Sequence, residues 1–205
     1  MRFTYTLDNQ ERGLFIPTTS SSMKDFYRLQ ARPTVVITTV SPRGVPNAAP
    51  FSFSSPMASR PTPLFGFCCE VEHDTWRNIK QNKEFVVNLV GEEFGPHMEK
   101  LETHYPYEVS EIMECGLTET KSNRVSPPRI AEAYGWMECR MTQNIELSGR
   151  SVWIIGEVLE SDAKDDCYST VNAAIDVGRT RQLNHVWGDT YAVTSKEAHF
   201  KRATP

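Results

Sequence analysis

The sequence predicts a mainly antiparallel β-barrel of Greek-key type with one or two inserted helices. Three observations carry that expectation. Short β-branched or apolar runs recur between turn residues without the regular strand–helix alternation of a parallel sheet. None of the eleven glycines falls into a G-x-G-x-x-G pattern, so a doubly wound dinucleotide fold loses its main signature. Thirteen prolines imply many short connections and argue against a helical bundle.

Residues 1–22 read as an N-terminal arm, and 23–205 as a single domain. Lys24–Gln30 has Phe26, Tyr27 and Leu29 at near-helical spacing and is closed by Pro33. Thr34–Val40 is a β-branched run ending in the turn Ser41-Pro42-Arg43-Gly44. Asn47–Phe53 is its antiparallel return, and Pro50 places that strand at an edge or a bulge. Leu64–Glu70 is a strand in which Gly66 suggests close backbone approach. A short helix starts at His73-Asp74-Thr75, capped by Asp74 or Thr75.

Glu84–Val90 is the next strand, and two short helices, Glu92–Leu101 and Glu108–Glu114, are interrupted by Pro96 and Pro106. After a loop around Pro127-Pro128, Met137, Cys139, Met141, Ile145 and Leu147 share one parity. Glu138, Arg140, Asn144 and Glu146 share the other, the pattern of a half-buried strand. Ser151–Leu159 forms a hairpin with it, and Tyr168–Val177 suggests a helix.

A net charge of −4 gives no general reason to expect a nucleic-acid partner. No apolar run reaches the roughly 20 residues of a membrane span, and the N-terminus has no secretory h-region. Five cysteines without a C-x-x-C pair fit reduced thiols in a cytoplasm better than a disulfide framework. Cys68, Cys69 and His73 are a poor metal set, because a strand sends adjacent residues to opposite faces; no metal is expected.

The most informative stretch is Asn47–Pro63, N-A-A-P-F-S-F-S-S-P-M-A-S-R-P-T-P. Its alanines let a planar ligand approach the backbone, and its serines offer short hydrogen-bonding groups. A polar loop between strands explains the composition alone equally well. His73-Asp74-Thr75, at a helix start, suits a phosphate through unpaired N–H groups, or is simply a helix cap.

The order R-P-T-V-V-I-T-T-V-S-P-R-G-V-P-N-A-A-P-F-S-F-S-S, then H-D-T-W-R-N-I-K-Q-N-K-E-F-V-V-N-L-V, resembles the flavin reductase-like family with its FMN-binding split barrel. R-V-S-P-P-R-I-A-E-A, W-M-E-C-R-M and I-I-G-E-V are similar to its longer members. The resemblance implies that Ala48, Ala49 and the run Phe51, Ser52, Phe53, Ser54 and Ser55 line the isoalloxazine and ribityl chain. It implies that Ser59, His73 and Thr75 sit near the phosphate, and that Thr38 and Thr39 adjoin the flavin from the neighbouring strand. No catalytic side chain is assigned; the stretch His185–Tyr191 is similar to a His…Gly…Tyr segment of some flavin reductases and makes His185 the candidate.

The implied activity is reduction of FMN by NADH or NADPH, hydride passing to flavin N5, in a homodimer that serves a small-molecule electron acceptor. Lys121, Arg124 and Arg129 are candidates to meet the nicotinamide phosphates. An FMN electron carrier without its own nicotinamide site, an FMN-assisted enzyme on an organic substrate, and a flavin-free structural or oligomerisation protein are the alternatives. Replacing Ser54 or Thr75 by an acidic residue is expected to weaken FMN binding with little loss of fold.

Overall fold

A computed structural model of the chain describes residues 26–147, 149–170 and 173–200; the predicted arm, 1–22, and its boundary with the domain lie outside them. The strands are β1 (Val35–Val40), β2 (Pro46–Phe51), β3 (Ser54–Ala58) and β4 (Leu64–Glu70). Helix α1 (Asp74–Asn82) and strand β5 (Glu84–Leu89) follow. The inserted segment carries α2 (Met98–Leu101) and α3 (Glu111–Glu114). The long hairpin β6 (Gly135–Leu147) and β7 (Ser151–Ala163) comes next, then β8 (Leu183–Trp187) and β9 (Thr190–Val193).

Seven strands form one sheet in the order β2-β1-β5-β6-β7-β4-β3, with every pair antiparallel. Its two edges, β2 and β3, are consecutive in the chain and joined only by Ser52 and Phe53. Three residue steps span at most about 11 Å, so this connection draws the edges together and the sheet closes into a barrel. The Phe53 carbonyl accepts from the Cys68 N–H of β4 at 2.8 Å. Pro50 sits on an edge strand, where its missing N–H costs no ladder bond. The pairing of β1 with β5 and of β4 with β7 gives the crossed connectivity predicted, that of a split β-barrel.

Both faces of β1 are covered, which is why its sequence is a continuous β-branched run, with Thr38 and Thr39 buried, and does not alternate. Val35 and Ile37 enter the barrel interior with Phe51, Phe67 and Phe85, whereas Val36 joins Phe94, Leu101 and Ile112 of the insert in a second, outer core. Gly66 is crowded by side chains rather than backbone: a Cβ there would lie 2.4 Å from the Met57 sulfur and 2.6 Å from Trp153 Nε1. Gly156 is required by the interior, since its Cβ would lie 2.6 Å from Phe85 Cζ.

Four local expectations are corrected. His73, not Asp74 or Thr75, occupies the N-cap of α1, and it makes no side-chain cap bond. Glu138 is wholly buried instead of facing solvent, while Ile145 and Leu147 are exposed, because the loop 122–130 covers the outer face of β6 near its start. Tyr168–Ser169 and Ala174–Ile175 are short antiparallel strands where a helix was expected, with a single helical turn at Val177–Thr180. Finally, Lys24–Gln30 contributes only a 3-10 turn, Phe26–Leu29, among its described residues. Among the described residues, no helix is long and apolar enough to cross a membrane.

Candidate functional site

Strand β2 is held from beneath by a buried polar network centred on Asn47. Its Oδ1 accepts from the hydroxyls of Thr39 and Thr75, each at 3.1 Å, and its Nδ2 donates to Glu111 Oε1 at 3.0 Å. The Ala48 N–H donates to Glu111 Oε2 at 3.0 Å. Asn78 extends the network, donating to Thr39 at 3.0 Å and accepting from the Tyr107 hydroxyl at 2.6 Å. Through Glu111 and Tyr107 the insert is therefore tied to the barrel edge.

These bonds sort the residues singled out in the sequence. Thr39 and Thr75 spend their hydroxyls within the network; Thr38 donates to the Pro128 carbonyl at 2.5 Å and accepts from Asn88. The Ala48 side chain lies in the outer core and Phe51 in the interior, so at a site on this strand they have only backbone to offer. Ser59 is exposed and lines neither cavity described below. Because Thr75 is buried and bonded, an acidic residue there disrupts the fold as well; Ser54 is the variant that probes binding alone.

Two cavities flank the strand and its turn. The first, about 520 Å³, lies at the N-terminus of α1 and includes Asn47, Ala49, Pro50, His73, Thr75 and Arg150. The carboxylates of Glu70, Glu72, Asp74, Glu102 and Glu111 also line it, an unwelcoming frame for an anion except at Arg150 and the helix N–H groups. The second, about 640 Å³, is bounded by Ser52, Phe53, Ser54 and Ser55 on one side. Phe65, Leu89, Met137 and Trp153 form its apolar wall.

His185, the catalytic candidate, meets the same turn. The two-residue strand Arg32–Pro33 pairs with β8 so that Arg32 and His185 stand directly opposite, which puts both side chains on one face. His185 Nδ1 lies 3.3 Å from Ser52 Oγ and 3.4 Å from Arg32 Nη2. Since the arginine only donates, Nδ1 is the acceptor, and Nε2 carries the proton toward the Gly188 carbonyl at 3.0 Å.

Other candidates are ruled on by their surroundings. Arg129 is buried against Glu138, Glu160 and Asp162 and cannot reach a nicotinamide phosphate; Lys121 and Arg124 remain exposed. Cys69 points into the interior, 4.0 Å from His73 Nδ1, and burial pushes its thiol up to about 12, so it is no thiolate nucleophile.

The sequence profile of the family described as flavin reductase like domain matches residues 27–175. The chain belongs to the flavin reductase-like family. A protein of Halalkalibacterium halodurans described as uncharacterised is 32% identical over 200 residues, covering 90% of this chain and 94% of that one. The barrel is similar to nitrilotriacetate monooxygenase component B from Bacillus cereus, with a TM-score of 0.84, 24% identity, and coverage of 98% and 100%. It is also similar to an FMN-binding protein from Thermus thermophilus crystallised with 1-cyclohex-2-enone, with a TM-score of 0.75, 15% identity, and coverage of 98% and 100%. Family membership supports a flavin-linked redox role and a flavin cofactor.

In this flavin reductase-like chain the residues fit such a group. The second cavity combines an apolar wall with a hydroxyl-lined edge and falls within the usual range for ligand pockets. Sequence reasoning missed Arg32, Glu111, Arg150 and Trp153 as parts of the site. The pairing of Arg32 with His185 spans 153 positions and leaves no local pattern; only the restriction that Pro33 places on Arg32, toward extended backbone, hinted at a strand there.

Glu111 yields a test of the network. Burial pushes its carboxyl up, against the bonds from the Ala48 N–H and Asn47 that pull it down, and the Asp74 charge adds to the upward shift. A raised folded-state value favours folding below the unfolded value, and that contribution is lost as pH rises through the folded value. Replacing Glu111 by alanine is expected to cost about 1–3 kcal/mol by orphaning the Asn47 and Ala48 donors. In urea unfolding across pH, the variant also loses this falling limb.

Proposed function

We propose that the protein binds FMN along β2 and the Ser52–Ser55 turn and is an NADH- or NADPH-dependent reductase of that flavin. The observation that carries the reading is that the two cavities adjoin consecutive stretches of the chain, Asn47, Ala49 and Pro50 of β2 lining the first and Ser52–Pro56 the second. From Asn47 to Ser52 an extended strand rises about 17 Å, a span suited to a tricyclic ring with a ribityl phosphate tail. Bound there, FMN would supply a hydride-accepting N5 and carry electrons to a small-molecule acceptor.

The chain's own residues provide position and environment. Ala49 and Pro50 give a low backbone wall, and the backbone of Ser52–Ser55 with their hydroxyls offers hydrogen bonds to a ring edge. The Ser59 hydroxyl belongs to the same reading only if the phosphate reaches beyond the first cavity; Arg150, His73 and the N–H groups opening α1 are the better-placed phosphate partners. His185, fixed by Arg32 and Gly188, orients Ser52 and serves as a positioning residue. The homodimer is part of the proposal, supported by the exposed apolar residues Met57, Ile145 and Leu147. A cytoplasmic setting is supported by five free thiols.

Anaerobic mixing of the FMN-loaded protein with NADH and with NADPH tests the activity. Loss of flavin absorbance well above the rate for free FMN with at least one nucleotide is expected. No acceleration with either would exclude the reductase and leave an electron carrier.

A further inference from the structure

We propose that the second cavity recognises an organic anion, an apolar-bodied carboxylate, through the guanidinium of Arg32. The inference rests on the reading above in treating that anion as the compound that meets the flavin, but the recognition stands on the cavity's own chemistry. Among the described residues that line it, Arg32 is the one that carries a charge; the rest are apolar, hydroxyl or amide groups. Arg32 is only 6% exposed, and no carboxylate among the described residues pairs with it. A buried cation without a counter-ion is costly, and an incoming anion relieves that cost.

The way Arg32 is held leaves one edge available. Nη1 donates to the carbonyls of Tyr27 and Gln30, and Nη2 donates to the Val186 carbonyl at 3.1 Å. The rings of Tyr27 and Phe53 lie 5.2 Å from the guanidinium carbon. These contacts anchor the head group. The Nε–Nη2 edge, the fork that grips a carboxylate with two parallel hydrogen bonds, has, apart from the Val186 bond that takes one Nη2 hydrogen, only long contacts of 3.4 Å, to Ser52 Oγ and His185 Nδ1. That edge is aimed at Ser52, which itself lines the cavity. An anion arriving through the cavity exchanges the two weak contacts for two charge-assisted ones, while Phe53, Leu89, Met137 and Trp153 receive its apolar body. The first cavity, lined by five carboxylates, opposes an anion except at Arg150 and the N–H groups opening α1, where the phosphate is placed.

The test compares benzoate with benzamide, its neutral isostere, by calorimetry on the protein as purified and again after loading with FMN. Benzoate is expected to bind about tenfold or more tightly than benzamide. Arg32→Met should erase the preference, and Arg32→Lys, which keeps the charge without the fork, should leave part of it. Equal affinities in the wild-type protein overturn the proposal, as does a preference that survives in Arg32→Met. If Arg32→Met abolishes FMN binding while His185→Ala retains it, the anion met by Arg32 belongs to the cofactor and the proposal is likewise overturned. Should Arg32→Met fail to fold, an undiminished preference in Arg32→Lys overturns the role of the fork. If the wild-type protein binds no FMN, the reductase reading fails separately, and the benzoate–benzamide comparison still decides this one.

Discussion

Replacing Glu138 by alanine is expected to lower the unfolding free energy by about 3–5 kcal/mol, the cost of breaking a buried ion pair from one side. The carboxylate is wholly buried and accepts from the N–H groups of Asn123 and Arg124 at 2.9 and 2.6 Å and from Arg129 Nε at 2.7 Å. Alanine orphans three donors at once. Glu160 and Asp162 still face Arg129 at 3.1 and 3.3 Å, but both are more exposed, and between them they hold one backbone N–H, that of Ala163 on Asp162. Glu160→Ala is the matching control, and a loss below about 1 kcal/mol is expected there.

The same carboxyl sets an acid limb. Burial alone would raise it, yet the two backbone N–H groups and Arg129 outweigh burial and hold it below the ordinary carboxylate range. A depressed folded-state value contributes stability above the unfolded value, and this is lost as pH falls through the folded one. Urea unfolding of wild-type and Glu138→Ala protein at descending pH should therefore converge. A difference that stays constant with pH would show that the pair is not the source of the effect.

Phe67→Ala is expected to cost about 3–5 kcal/mol, the range for emptying a buried aromatic site. Phe67 is fully buried and packs edge-on against Phe51 at 5.0 Å and Phe85 at 5.3 Å. Its position gives the loss a functional side. Phe51 ends β2, and Phe67 pairs in register with Ser54 of β3, so the ring supports both ends of the turn that closes the barrel. Weaker FMN binding should accompany the lower stability. Phe67→Leu, which refills most of the space, should lose less of both; a fully destabilised protein that retains unchanged FMN affinity would separate the turn from the core.

The barrel was legible because strands advertise themselves locally. The run from Val35 to Val40, the edge proline Pro50 and the hairpin of β6 with β7 are each visible in one contiguous stretch of chain. Parity misled where a strand is covered on both sides: Glu138 alternates with Cys139 as a solvent-facing residue should, yet a loop folds over it and supplies Arg129. The site was legible in its edge strand and its serine-rich turn, since small residues beside a strand mark backbone that a ligand can approach. It was not legible in its supports. Glu111 reaches Asn47 across 64 positions, and Arg32 reaches His185 across 153, pairings set by chain connectivity rather than by local pattern. The threonines drew attention for their hydroxyls, and burial shows those hydroxyls holding strands together.

The most direct test of the central claim is the absorption spectrum of the purified protein titrated with FMN, with Ser54→Glu measured alongside. The account predicts flavin bands that shift on binding, one FMN per chain, and binding weakened in Ser54→Glu while the unfolding midpoint barely changes. A colourless protein that leaves the FMN spectrum unaltered, or a Ser54→Glu variant that binds FMN as tightly as the wild type, would contradict it.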